Sequence, residues 1–195
     1  MAAEPPDKPE PSTTPPETVP AQAAESTRFP IVGIGASAGG LEALEALTRR
    51  LSSDGMAYIV LQHLAPTHES ILTEILARGT SLKVVTVEDG TTVVPNTIYV
   101  APPDVELVLA QGILRFQPAS GRLPRQSIDT LLRSIATDLG ASAIGVLLSG
   151  AGSDGALGLR AIKEEGGITF AQDPQTASQR SMPQAAIDLE SPTTA

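Results

Sequence analysis

The sequence contains no cysteine. That excludes a disulfide framework, a cysteine-ligated zinc site and a cysteine nucleophile. Histidine occurs only twice, which argues against a histidine-rich metal site. Positive charge is also scarce. The 195 residues carry 13 basic and 22 acidic side chains, a net charge of −9. A nucleic-acid binder that tracks phosphates would need a basic face, so no nucleic-acid partner is expected. No apolar run reaches the roughly 18 residues of a membrane span, and no direct membrane insertion is expected. The acidic, proline-rich start has no apolar h-region and does not read as a secretory signal, so the expected compartment is the cytoplasm. Aromatics make up only 3% of the chain against 41% apolar residues. The core must therefore be built from Val, Ile, Leu and Ala, the usual filling of a parallel sheet covered by helices.

Met1 to about Phe29 stands apart. It holds eight of the 17 prolines, counting Pro30 at its border, and almost no large apolar residue. Such a segment cannot bury enough surface to offset its ordering entropy. It reads as a disordered proline-rich tail or linker of net charge −3, leaving −6 for residues 30–195.

From Pro30 onward, apolar runs alternate with helical periodicities. Ile31 to Gly35, Ala57 to Leu61, Lys83 to Val87, Thr97 to Val100, Ile144 to Leu148 and Ile168 to Phe170 read as strands, with Ile144 to Leu148 the most buried-looking. Leu41, Leu44, Leu47 and Leu51 fall at helical spacing. So do Ile71 to Leu76 (behind a Thr67 cap and stopped by Gly79), Ile128 to Leu139, and Leu157 to Ile162. Val105 to Leu109, Gln111-Gly112 and Ile113 to Phe116 read as a hairpin. The expected fold is α/β: a doubly wound, mainly parallel sheet with helices on both faces and one antiparallel hairpin.

Two glycine-rich turns follow strands. The first, Gly33-Ile34-Gly35-Ala36-Ser37-Ala38-Gly39-Gly40, supports three readings. As a dinucleotide loop its GxGxxxG spacing is a loose match, and no acid ends the second strand, which closes Leu61-Gln62-His63; Asp54 lies before that strand. As a nucleophile turn it presents Ser37 at the sheet's carboxyl edge beside free helix N–H groups. As a plain helix start it uses Ser37 as a cap. A serine nucleophile needs a base. His63 closes a strand at the same edge, whereas His68 lies in a loop entering a helix. The base in turn needs a carboxylate. Asp154, in the second turn Ser149-Gly150-Ala151-Gly152-Ser153-Asp154-Gly155, fits that role; it also reads as an acid beginning its own helix. Asp104, Asp129 and Asp138 are weaker candidates, because none follows a buried strand in so glycine-rich a turn.

Together these stretches resemble the catalytic domain of the chemotaxis receptor methylesterase, the CheB family. The matching segments are GIGASAGG around Ser37, VLQHL around His63, TIYVAPPD from Thr97, RQSIDTLL from Arg125, LLSGAGSDGALG around Asp154, and Met182 to Ile187 at a late helix start. They cover about residues 30–190. The resemblance implies a doubly wound α/β serine hydrolase of glutamyl methyl esters on chemoreceptors, some members also deamidating glutamine. It implies a triad of Ser37 as nucleophile, His63 as base and Asp154 as orienting acid, with no metal or organic cofactor.

Three departures stand out. Ala38 replaces a frequent threonine, Gly150-Ala151-Gly152 lacks a methionine, and the short polar tail is not expected to form the phosphorylatable receiver domain. This pattern is similar to esterase modules fused to a receptor methyltransferase, so a methylated chemoreceptor and a fused or associated methyltransferase are the implied partners. The 30–195 domain is expected to be truncated at its C-terminus, short of a last strand. The alternative function is a non-catalytic signalling module binding a receptor or methyltransferase partner.

Overall fold

The computed structural model describes Met1 and residues 29–63, 69–117 and 127–190. Residues 2–28 of the tail, the Thr67 cap and His68 lie outside the described residues. The chain runs β1 (Ile31–Ala36), α1 (Gly40–Thr48), β2 (Ala57–Gln62), α2 (Glu69–Gly79), β3 (Lys83–Thr86), β4 (Thr91–Thr92), β5 (Thr97–Val100), β6 (Glu106–Ala110) and β7 (Ile113–Gln117). It continues with α3 (Ser127–Leu139), β8 (Ala143–Leu147), α4 (Ala156–Glu164), β9 (Ile168–Ala171) and α5 (Ser181–Glu190).

Six strands form a wholly parallel sheet in the order β3-β5-β2-β1-β8-β9. Helices cover both faces, as the sequence pattern implies. On one face Val32, Ile34, Val60 and Ile98 pack with Leu44 of α1 and with Leu72 and Leu76 of α2. On the other, Ile31, Ile59, Tyr99 and Leu147 pack with Ile128, Leu132 and Ile135 of α3, Leu159 and Ile162 of α4, and Met182 of α5. The predicted hairpin is present as β6 and β7, but it does not extend the main sheet. It pairs instead with β4 in a separate three-stranded antiparallel sheet. Among the described residues the main sheet contains no antiparallel strand.

The glycines of β1 have a packing cause. Gly33 and Gly35 point at α3. A Cβ at Gly33 would lie 2.6 Å from Leu132 Cδ2 and 2.7 Å from Ile135 Cδ1. One at Gly35 would run into Ile128 Cγ2 and come within 2.9 Å of Leu147 Cδ1. Close approach of α3 therefore accounts for the Gly-Ile-Gly run without any phosphate. Asp54, the one acid near a dinucleotide spacing, is engaged by the Tyr58 hydroxyl at 3.2 Å.

One expectation is corrected. β8 is not the most buried strand; β1 is, with all six residues buried. In β8, Ile144 and Val146 are only half-buried, because α1 and α2 cover β1 and β2 but stop short of that side. The exposure grows on the edge strand β9, where Ile168 and Phe170 are 54% and 57% exposed.

Candidate active site

β1 sits at the centre of the sheet, paired with β2 on one side and β8 on the other. The chain leaves β1 toward α1 on one face and reaches β8 from α3 on the other. This is a topological switch point, where α/β sheets open a crevice at their carboxyl ends. Backbone bonds extend the ladder beyond the strands and fix that edge. His63 N–H donates to Ala36 O at 3.1 Å, Leu148 N–H to Gly35 O at 2.9 Å, and Ser37 N–H to Ser149 O at 3.0 Å. The first residue after β1, the first after β2 and the turn after β8 are thereby locked side by side.

Ser37 does not cap the helix. The N-cap of α1 is Gly39, at φ 69° and with no side-chain bond. That left-handed backbone strongly favours glycine and turns the chain sharply from β1 into α1. Among the described residues Ser37 Oγ makes no hydrogen bond. Behind it, Gly150 fits tightly: a Cβ there would lie 3.0 Å from Ser37 Cβ and 2.6 Å from Met182 Sδ. Ser149 is fully buried and ties the turns together. Its hydroxyl donates to Ala38 O at 3.0 Å and accepts from Gln179 N–H at 2.9 Å. Sequence reasoning did not single out Ser149, because a small polar residue after a strand carries no signal of its own.

His63 Nε2 lies 3.2 Å from Asp154 Oδ2, with the imidazole 36% exposed and the carboxylate 11%. Asp154 does not act on its own helix. Its two oxygens accept from the N–H groups of Ile128, at 3.1 Å, and Asp129, at 2.9 Å. Both belong to the first turn of α3, whose N–H groups have no partner within the helix. The carboxylate thus sits at the positive end of α3, fixed on one side by backbone and facing the imidazole on the other. With Nε2 turned to Asp154, Nδ1 is the ring nitrogen left for another partner.

The weaker acidic candidates are elsewhere or otherwise employed. Asp138 accepts from Gln111 N–H at 2.6 Å and Gly112 N–H at 2.9 Å, holding the β6–β7 turn. Asp104 lies between β5 and β6 at φ 60°. Asp129 is 3% exposed and adjoins Asp154. Burial is the main cause that raises its pKa above the usual aspartate value, and the nearby Asp154 charge adds to it; N–H groups of Gly158 and Gly155 and the Arg133 charge oppose the rise. Gln62, at the end of β2, donates from Nε2 to Ser37 O at 3.5 Å, while its buried Oε1 has no partner among the described residues. No group of three or more metal-ligating side chains occurs among the described residues. No described helix is long and apolar enough to cross a membrane.

The doubly wound sheet thus gathers a serine, a histidine and an aspartate at one carboxyl edge, residue types that nucleophilic and acid–base chemistry use together. Comparison with known proteins narrows the class. The family model for CheB methylesterase matches residues 32–193, and the chain belongs to that family. It is 36% identical over 165 residues to the protein-glutamate methylesterase/protein-glutamine glutaminase of Photorhabdus laumondii, and 37% identical to that of Yersinia pestis. Each match covers 82% of this chain and 47% of the relative, so the chain spans about half the length of the curated relatives it matches. Among solved structures, the Thermotoga maritima CheB methylesterase catalytic domain superimposes with a TM-score of 0.75 at 29% identity, covering 83% of this chain and 89% of that one.

Proposed function

We propose that the chain is a serine hydrolase that removes methyl esters from glutamyl side chains of chemoreceptor-type proteins, with Ser37 as nucleophile, His63 as base and Asp154 as orienting acid. The observation that carries the reading is the fixed pair at the sheet edge. His63 and Asp154 meet at 3.2 Å, with the acid anchored by two α3 N–H groups, at the same strand edge as a serine hydroxyl that has no partner among the described residues.

Ser37 Oγ attacks the ester carbonyl carbon while its proton passes to His63 Nδ1. Asp154 holds the Nε2–H tautomer and balances the imidazolium charge. Collapse of the tetrahedral intermediate expels methanol, which takes the proton from His63. Water, deprotonated by His63, then attacks the acyl-enzyme; the second tetrahedral intermediate expels Ser37 Oγ, which takes that proton back from His63, and the glutamyl carboxylate is released. A glutamine side chain follows the same path with ammonia as leaving group, in keeping with the double name of the relatives. The N–H groups of Ala38 and Ala151 are unpaired among the described residues. They lie one residue beyond Ser37 and Gly150, where they can serve the oxyanion. No cofactor enters the scheme. The setting proposed is cytoplasmic, beside a fused or associated receptor methyltransferase.

A fluorophosphonate probe tests the reading. The wild type is expected to take up one equivalent, mapped to Ser37 by peptide mass, and Ser37→Ala none. Stoichiometric labelling at another residue would contradict it.

A further inference from the structure

In the sequence Asp129 is a weaker candidate than Asp154, because it does not follow a buried strand in so glycine-rich a turn. The structure gives it a specific place. α3 and α4 exchange acids across their N-termini. Asp154, two residues before α4, accepts from the Ile128 and Asp129 N–H groups of α3. Asp129, in the first turn of α3, accepts in return from Gly158 N–H of α4 at 2.7 Å, and Gly155 N–H also faces its carboxylate. The N-cap of α4 is Gly155, which has no side chain to supply a cap itself. The two helices also fit closely there: a Cβ at Gly158 would lie 3.2 Å from the Asp129 backbone. The segment carrying Asp154 is thus pinned at both ends, by its own carboxylate on α3 and by the Asp129 carboxylate on α4.

We propose that Asp129 is a positioning residue for the active site: its buried carboxylate holds the start of α4 against α3, and so keeps Asp154 on both α3 N–H groups and on His63. The inference rests on the function proposed above. An apolar core residue could not do this work, because the N–H groups of the α4 terminus, which have no partner within the helix, need a buried acceptor. Without it, the turn 152–155 keeps its bonds to Ser181 and α3 but loses its anchor on α4, and a shift of about 1 Å in a catalytic group can cost on the order of a hundredfold in rate.

The test uses the full chain and three variants. Asp129→Asn keeps an oxygen for Gly158 N–H and loses the charge. Asp129→Ala loses both, and Asp129→Ser is too short to reach both N–H groups. Fluorophosphonate labelling gives a maximal rate and a half-saturating concentration. The proton NMR spectrum reports the low-field resonance of a His63 Nε2–H bonded to Asp154. Asp129→Ala is expected to lower the maximal labelling rate about tenfold to a hundredfold with little change in half-saturation, and to abolish the resonance. Asp129→Asn should recover most of the rate and the resonance. If Asp129→Ala does not fold, Asp129→Ser takes its place with the same expectation. A folded alanine or serine variant with wild-type rate and resonance overturns the inference. So does an asparagine variant as impaired as alanine, since charge rather than the hydrogen bond would then matter. Should the wild type itself fail to label, the functional reading falls, and the resonance alone decides the role of Asp129.

Discussion

Replacing Gly35 with alanine tests the link between packing and site. Its new methyl would collide with Ile128 Cγ2 and approach Leu147 Cδ1 to 2.9 Å. Ile128 is fully buried in α3 and β-branched, with few χ1 alternatives in a helix. The strain therefore passes to the α3 backbone rather than to a side-chain tip. Overpacking of this kind costs about 1–3 kcal/mol, and the upper half of that range applies here. Alanine's smaller loss of chain entropy returns roughly 0.5–1 kcal/mol. The net cost of about 1–2.5 kcal/mol corresponds to a fall of roughly 2–10 °C in Tm for a domain of this size. Gly33→Ala is the control. Its methyl meets the δ-carbons of Leu132 and Ile135, flexible ends that can rotate away, so a smaller shift is expected. Because Ile128 N–H also binds Asp154, Gly35→Ala should slow labelling of Ser37 as well, whereas Gly33→Ala should not. Thermal melting and probe labelling read both effects. In the double variant Gly35→Ala/Ile128→Ala the new methyl fills part of the cavity, so the two costs should fall short of additive. A Gly35→Ala protein with wild-type Tm, or strictly additive costs in the pair, would refute the close-packing account of the Gly-Ile-Gly run.

Asp154→Asn should fold, with Tm lowered by a few degrees as one N–H acceptor is lost, and its turnover should fall by about 10⁴, because the amide favours the wrong histidine tautomer. Turnover within tenfold of wild type would argue against the triad. Ser37→Ala and His63→Ala should each remove nearly all turnover, and the double variant should be little worse, since triad members act as a unit; additive losses would contradict this. A fourth prediction concerns pH. The Asp129 carboxyl binds its proton more tightly in the folded protein than in the unfolded chain. The stability it contributes is complete below an ordinary aspartate pKa of about 4 and is lost as pH rises through the higher folded value. Asp129→Asn removes that loss, so its Tm relative to wild type should climb from about pH 4 upward and then level off. A difference that stays flat with pH would show that Asp129 is not destabilised in its ionised form.

The sequence was most legible where one physical rule dominates. Strands β1, β2 and β5 are continuous buried apolar runs, and α3 shows its Ile128–Leu131–Leu132–Ile135 face directly. Legibility failed where the outcome depends on distant covering. Ile144 and Val146 are as apolar as their neighbours, and nothing local says that α1 and α2 stop short of them. β4 has only two residues and exists because β7 pairs with it, a contact without local pattern. The chemistry divided in the same way. Ser37, His63 and Asp154 each follow a strand, so the sheet edge alone assembled them as candidates. What fixes them did not show. An acid just before a helix reads as that helix's own, yet Asp154 serves α3 and Asp129 serves α4. Such an exchange needs two helices packed at their N-termini, and neither segment encodes the other's position. The glycines of β1 were ambiguous on their own, since a helix at close range asks for the same residue as a phosphate does.

The central claim is that Ser37 hydrolyses a glutamyl methyl ester through His63 and Asp154. Its most direct test is methanol release from a chemoreceptor fragment carrying glutamyl methyl esters, measured with wild type and with Ser37→Ala at equal folded concentration. The account predicts stoichiometric methanol from the wild type, with matching loss of methyl label from the receptor, and release at the uncatalysed rate from Ser37→Ala. Equal release from both proteins, or none from either, would contradict it.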